Sequence, residues 1–195
     1  MEIISYSSRK RAARQRAKAA IKALSSSEKE NESRAIVDHL AGELANVDRS
    51  AIVLIYAALP LEANVWEIIH RCPDLTFALP RVLDASKLLE CRHFNNPNSD
   101  LSLGTYRVME PIPKKCPLVK SSELQAIVTP GLSFSKSGAR LGKGGGYYDR
   151  LLEETKGSAR SIGVGFDCQL CRDIPMEPHD QYLDGVITPS GVWSA

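Results

Sequence analysis

Apolar residues change period several times along the chain, and each change marks an element. Residues 8 to 24 (Ser-Arg-Lys-Arg-Ala-Ala-Arg-Gln-Arg-Ala-Lys-Ala-Ala-Ile-Lys-Ala-Leu) are strong helix formers without Gly or Pro, which predicts a helix with a mostly alanine apolar face. Ser27 and Glu30 have capping-box spacing, and Ile36, Val37, Leu40, Leu44 and Val47 follow at helical intervals, so a second helix is expected there. Ala51–Ala58 is a continuous apolar run rich in β-branched residues and reads as a buried strand. Glu62–Arg71 reads as a helix ended by Cys72-Pro73. Leu75–Leu79 reads as a strand closed by Pro80, and 95–122, rich in Pro, Asn and Ser, as irregular. Gln125–Thr129 is another short strand stopped by Pro130-Gly131, followed by a glycine-rich stretch and a helix from about Gly146 to Glu154. Ser161–Phe166 and Gly185–Thr188 complete the strands. Strands alternating with helices predict an α/β fold: a single three-layer domain over residues 1–195, with a mainly parallel sheet flanked by helices.

Composition narrows the class. With 43% hydrophobic and 25% charged residues the chain matches an ordinary globular protein, and no apolar run approaches the length of a membrane span. Five cysteines (72, 91, 116, 168 and 171), with no apolar signal segment at the start, predict reduced thiols and a cytoplasmic setting. The net charge of +2 hides an asymmetry: residues 3 to 27 carry seven Lys or Arg and no acid. That helix fits a solvated face, a nucleic-acid patch or a targeting peptide, and it has no aromatic after Tyr6. Lys10 and Arg14, at i and i+4, share one face and can meet a phosphate together.

The densest chemical signal is Gly138-Ala-Arg-Leu-Gly-Lys-Gly-Gly-Gly-Tyr-Tyr-Asp149, in which five of nine residues from 138 to 146 are glycine. A glycine-rich turn between a strand and a helix lets backbone N–H groups and the helix N-terminus converge on an anion, and Arg140 and Lys143 add charge. The spacing fits neither the Walker A loop nor the dinucleotide fingerprint, so a flexible surface turn stands beside phosphate binding. Tyr147 and Tyr148 fit core packing or the site. Asp149, in the first turn of a helix, fits the helix dipole or Mg²⁺. Cys168-Gln-Leu-Cys171 lacks a second pair for zinc and reads as structural, and His179-Asp180 lies in a Pro-rich loop.

Together these residues resemble the 5-formyltetrahydrofolate cyclo-ligase (5,10-methenyltetrahydrofolate synthetase) family. The main match is Thr129-Pro-Gly-Leu-Ser-Phe-Ser-Lys-Ser-Gly-Ala-Arg-Leu-Gly-Lys-Gly-Gly-Gly-Tyr-Tyr-Asp-Arg-Leu-Leu152. A second is Ile174–Thr188, with echoes at Lys10 and Arg14, Glu62, Leu79-Pro80-Arg81 and Glu110-Pro111. Ser135 stands where the family often has an acid, Lys143 where it has Arg or an aromatic, and residues 84–108 match poorly.

The resemblance implies ATP- and Mg²⁺-dependent closure of 5-formyltetrahydrofolate to 5,10-methenyltetrahydrofolate through a phosphorylated formyl group. It implies Lys10, Arg140 and Lys143 as catalytic cations. ATP would be bound by Lys10, Arg14, Arg140, Leu141, Gly142, Lys143, Gly144, Gly145, Gly146, Tyr147 and Tyr148. The folate would meet Ala57, Glu62 and Tyr147, and Asp149 and Asp184 would hold Mg²⁺. It also implies a monomer or weak homo-oligomer with no nucleic-acid or membrane partner. Two other readings are an ATP-dependent enzyme of the same fold with another substrate, and a nucleic-acid-binding module built on the basic helix.

Overall fold

A computed structural model describes residues 6–195, so the first five residues of the expected 1–195 domain lie outside it. In chain order the helices are α1 (Tyr6–Ala23), α2 (Ser26–Leu44), α3 (Ile68–Arg71), α4 (Pro97–Asp100) and α5 (Tyr147–Glu154). The first strands are β1 (Ile52–Leu54), β2 (Thr76–Leu83), β3 (Leu88–His93), β4 (Leu101–Leu103) and β5 (Met109–Pro111). They are followed by β6 (Leu124–Pro130), β7 (Ser133–Phe134), β8 (Arg140–Leu141), β9 (Arg160–Val164), β10 (Gly185–Thr188) and β11 (Gly191–Ser194).

Seven strands form one sheet in the order β11-β10-β9-β6-β1-β2-β3. The five central strands are mutually parallel, and β3 and β11 add antiparallel edges. Alternation along the strands divides the core between two faces. Val53 and Ile55, Ala126 and Val128, and Ile162 and Val164 point to one side, where Ile21 of α1 and Ile36, Leu40 and Leu44 of α2 cover them. Leu54, Ile127 and Val186 point to the other, under Leu151 and Leu152 of α5. Leu124 joins this second face because the β1–β6 register shifts between Ile52 and Val53. The result is the expected three-layer α/β arrangement.

Several boundaries depart from the sequence reading, each for a local reason. The capping box that opens α2 is Ser25 with Glu28, and Glu30 instead pairs with Arg34 one turn on. The helix expected over 62–71 is limited to Ile68–Arg71, because Glu62 turns back to accept a hydrogen bond from the Leu59 N–H at 2.8 Å. Pro80 does not close β2. The strand loses its β1 neighbour after Ala78, so a residue lacking N–H is tolerated there as at an edge. β3 and β11 were not anticipated, since neither carries a continuous apolar run. Segment 95–122 is more ordered than expected: α4 leads into a two-stranded ribbon of β4 and β5.

Candidate active site

β1 is flanked by β2 on one side and β6 on the other, so the chain reverses its direction of travel across the sheet at β1. In open parallel sheets this switch point leaves a crevice at the carboxyl ends of the strands. A cavity of about 370 Å³ occupies it, bordered by Tyr56 and Ala57 after β1, Pro80 and Val82 of β2, and Pro130 and Gly131 at the end of β6. One remaining wall is the loop 142–149, and the other is the ribbon around Tyr106–Glu110.

The loop wall is organised around paired charges. Arg140, buried in β8, donates to Asp149 Oδ1 at 2.8 Å and to the Pro130 carbonyl at 3.3 Å, and its guanidinium lies 5.8 Å from the Tyr148 ring centre. Its Nε is buried with no hydrogen-bond partner. Lys143 Nζ meets Glu62 Oε1 at 2.5 Å, and the Glu62 side chain is 6% exposed. Two arginines from outside hold the loop's carbonyls: Arg14 Nε donates to Gly142 O at 2.9 Å and Arg150 Nη2 to Gly145 O at 3.0 Å. Among the described residues, the N–H groups of Lys143, Gly144, Gly145 and Gly146 have no protein acceptor. Gly144 (φ 107°) and Gly146 (φ 69°), the latter capping α5, hold left-handed conformations that a side chain would strain. The arrangement is therefore a loop with free backbone donors ahead of a helix N-terminus, flanked by two cations.

The tyrosines of the site are kept neutral. Burial pushes the Tyr56 hydroxyl well up, and it donates to the Ala63 carbonyl at 2.7 Å. Burial, then the charge of Glu62, pushes the Tyr148 hydroxyl up. Tyr147 is pushed up by hydrogen bonds with Tyr106 and with Asp84, to which it donates at 2.9 Å. These groups bind and orient; none is poised as a base.

The structure brings together most of the expected site residues, but not all. Ala57, Glu62, Arg140, Gly142, Lys143, Gly144, Gly145, Gly146, Tyr147, Tyr148 and Asp149 border the cavity. Leu141 is buried in β8 as a core residue. Arg14 touches the loop from behind. Lys10, one turn earlier on α1, is buried against Glu177 Oε2 at 2.7 Å and against Asp180 Oδ2, away from the cavity lining. Asp184 precedes β10 at the opposite end of the sheet, where its Oδ2 accepts from Ser161 N and Oγ at 2.7 Å each. Asp149 and Asp184 are thus kept apart by the length of the strands and do not converge on one ion. Among the described residues the group with metal-ligand spacing is Glu177, His179 and Asp180, and the Lys10 ammonium already sits on both of its carboxylates.

Arg150, Tyr56, Tyr106 and Glu110 were given no role from sequence. Glu110 entered only as part of the Glu110-Pro111 echo of the family, and the lone acid in Val108-Met-Glu-Pro-Ile112 was a further signal of a carboxyl buried among apolar neighbours.

Comparison with known proteins identifies the family and the fold. Residues 6–189 match the model of the 5-formyltetrahydrofolate cyclo-ligase family. The 5-formyltetrahydrofolate cyclo-ligase of Escherichia coli K12 is 36% identical over 99 residues, covering 50% of this chain and 54% of that protein. A probable 5-formyltetrahydrofolate cyclo-ligase of Schizosaccharomyces pombe is 26% identical over 202 residues, covering 84% and 97%. The match to the bacterial relative therefore spans about half of its length. Among solved structures, a 5,10-methenyltetrahydrofolate synthetase of Aquifex aeolicus superposes with a TM-score of 0.79 at 24% identity, covering 95% of this chain and 92% of the other.

Proposed function

The chain belongs to the 5-formyltetrahydrofolate cyclo-ligase family, and on that premise we propose that it closes 5-formyltetrahydrofolate to 5,10-methenyltetrahydrofolate at the expense of ATP. The formyl oxygen attacks the γ-phosphorus and ADP leaves, which turns a very poor leaving group into a phosphate ester. N10 then adds to the activated carbon and loses its proton, and phosphate departs with the former formyl oxygen. Little acid–base work is asked of the protein. Catalysis consists of positioning two substrates and stabilising negative charge on the transferring phosphoryl group.

The single observation that carries this reading is the loop 143–146, with four unpartnered N–H groups beside Arg140 and Lys143 on the wall of the cavity. Backbone donors and the α5 N-terminus meet phosphate oxygens, while Arg140 beside the loop adds positive charge. Lys143 and Glu62 neutralise each other without ligand; once a phosphate draws Lys143 away, Glu62 is free to accept from the pteridine beside Ala57 and Tyr147. Arg14 fixes the loop from behind. A phosphate role for Lys10 requires its ammonium to leave Glu177 and Asp180.

For Mg²⁺ the residues fit in part. Asp149 offers a half-buried carboxylate with only Oδ1 engaged by Arg140, suited to an ion that keeps most of its ligands as water and phosphate. Asp184 faces the other end of the sheet and does not fit. The ion would neutralise phosphate charge beside Asp149.

The test is to follow the near-ultraviolet absorbance of the methenyl product with 5-formyltetrahydrofolate, ATP and Mg²⁺, omitting each in turn. A rise that needs all three is expected. No rise while ATP still binds would overturn the choice of substrate and leave an ATP-dependent enzyme with another acceptor.

A further inference from the structure

We infer that Arg150 is a positioning residue for the loop 143–146: it holds the Gly145 carbonyl back and so turns the Gly146 N–H toward the cavity, where it meets an anionic oxygen. Arg150 lies one turn into α5 and does not itself border the cavity. Its guanidinium reaches two carbonyls at once. Nη2 donates to Gly145 O at 3.0 Å, and Nε, at 2.8 Å, and Nη2 both donate to Lys87 O. A trans peptide carries its C=O and N–H on opposite sides, and no peptide among the described residues is cis. The bond that holds Gly145 O toward Arg150 therefore fixes the Gly146 N–H pointing the other way. Gly146 borders the cavity, and its N–H has no protein acceptor.

The surroundings are shaped to this contact. A Cβ at Gly146 would lie 2.8 Å from Arg150 Nη1, so glycine there is needed for the approach of the guanidinium as well as for its φ of 69°. The anchor on the far side is the turn between β2 and β3, where Lys87 keeps a left-handed φ of 54° that strains a residue bearing a side chain. Tyr147 ties the start of α5 to the same turn through Asp84, and the Arg150 guanidinium lies 5.7 Å from the Tyr147 ring centre. Arg14 holds Gly142 O from α1 in the same manner, which turns the Lys143 N–H, so each end of the donor row is set by one arginine. Arg140 and Lys143 meet carboxylates, whereas Arg150 spends its hydrogen bonds on carbonyls. That the anion is a phosphate of ATP rests on the proposed function; the direction of the Gly146 N–H rests on the peptide geometry.

The experiment compares wild type with Arg150→Ala and Arg150→Lys. It measures equilibrium binding of the non-hydrolysable β,γ-imido analogue of ATP with Mg²⁺ and, separately, of 5-formyltetrahydrofolate. Arg150→Ala is expected to weaken the nucleotide analogue about tenfold or more and to leave 5-formyltetrahydrofolate within about twofold. Arg150→Lys keeps the charge but not the fork that spans two carbonyls, and is expected to recover less than about threefold of the lost affinity. Unaltered binding of the analogue by Arg150→Ala overturns the inference. Equal weakening of both ligands marks a merely structural residue and overturns it too, and full affinity in Arg150→Lys replaces positioning by charge alone. If Arg150→Ala does not fold, Arg150→Gln, which keeps an amide donor without the charge, is measured in the same way. A wild type that binds the analogue but forms no methenyl product would overturn the proposed reaction and leave the role of Arg150 standing. Product formation with an indifferent Arg150 would do the reverse, and a wild type that binds no analogue would overturn both.

Discussion

Arg140 and Lys10 are both buried cations, with side chains 4% and 7% exposed, and they are held in opposite ways. Arg140 has one carboxylate, one carbonyl and a tyrosine face as partners, keeps an unpartnered Nε, and borders open space. Lys10 shares its ammonium between two carboxylates, so its hydrogen-bonding capacity is turned inward. Burial of a charge does not by itself make a site. A cation on the wall of a cavity can, and of these two only Arg140 borders one.

The largest expected effect comes from Arg140→Lys, which keeps the charge but removes the planar fork. The rate of methenyl formation should fall about a hundredfold or more, read as kcat in the absorbance assay. A variant with near-normal kcat would break the distinction between the two regions. Next, Asp149→Asn should raise the Mg²⁺ concentration for half-maximal rate by about tenfold, because a formal charge next to the metal is lost. Asp184→Asn should leave that concentration unchanged and cost about 1 kcal/mol of stability through its Ser161 bonds, measured by denaturant unfolding. The reverse pattern would place the ion at the far end of the sheet.

Lys10→Met should give only a small catalytic effect, with KM for ATP within about twofold, but a stability loss of about 2 kcal/mol from leaving two carboxylates without their ammonium partner. A large rise in KM for ATP at unchanged stability would instead show the ammonium leaving its clamp for phosphate. The pH dependence sharpens this. Burial works against the charge of Lys10, yet Asp180 and Glu177 raise its pKa above 10.5, so its contribution is full below that value and lost as pH rises through the raised one. For Asp180, burial is outweighed by Lys10 and the Glu177 N–H, which depress the pKa below 3.8. That contribution is present above 3.8 and lost as pH falls through the depressed value. In Lys10→Met the alkaline loss should disappear and the acid loss should shrink, read from melting temperature against pH.

Elements with strong local signals were read correctly from sequence. The continuous apolar stretches of β1 and β6 and the glycine-to-helix junction at Gly146 are determined by residues adjacent in the chain. The 62–71 segment failed because Glu62 prefers a turn hydrogen bond to Leu59 and a partner 81 residues away in Lys143. β3 was missed because Leu88-Leu-Glu-Cys-Arg-His93 becomes a strand only when β2 offers its edge. The resemblance assigned Asp149 and Asp184 to one ion, yet one follows the carboxyl end of the sheet and the other precedes a strand.

What the sequence determined by itself is the layered α/β frame and the glycine loop, since helix and strand periods, capping residues and glycine's freedom at positive φ act over a few residues. The tertiary structure alone decided which charges face the cavity. Lys10 finds Glu177 and Asp180, and Arg140 finds Asp149, because the partner of a buried charge is set by which distant segments the sheet brings into contact.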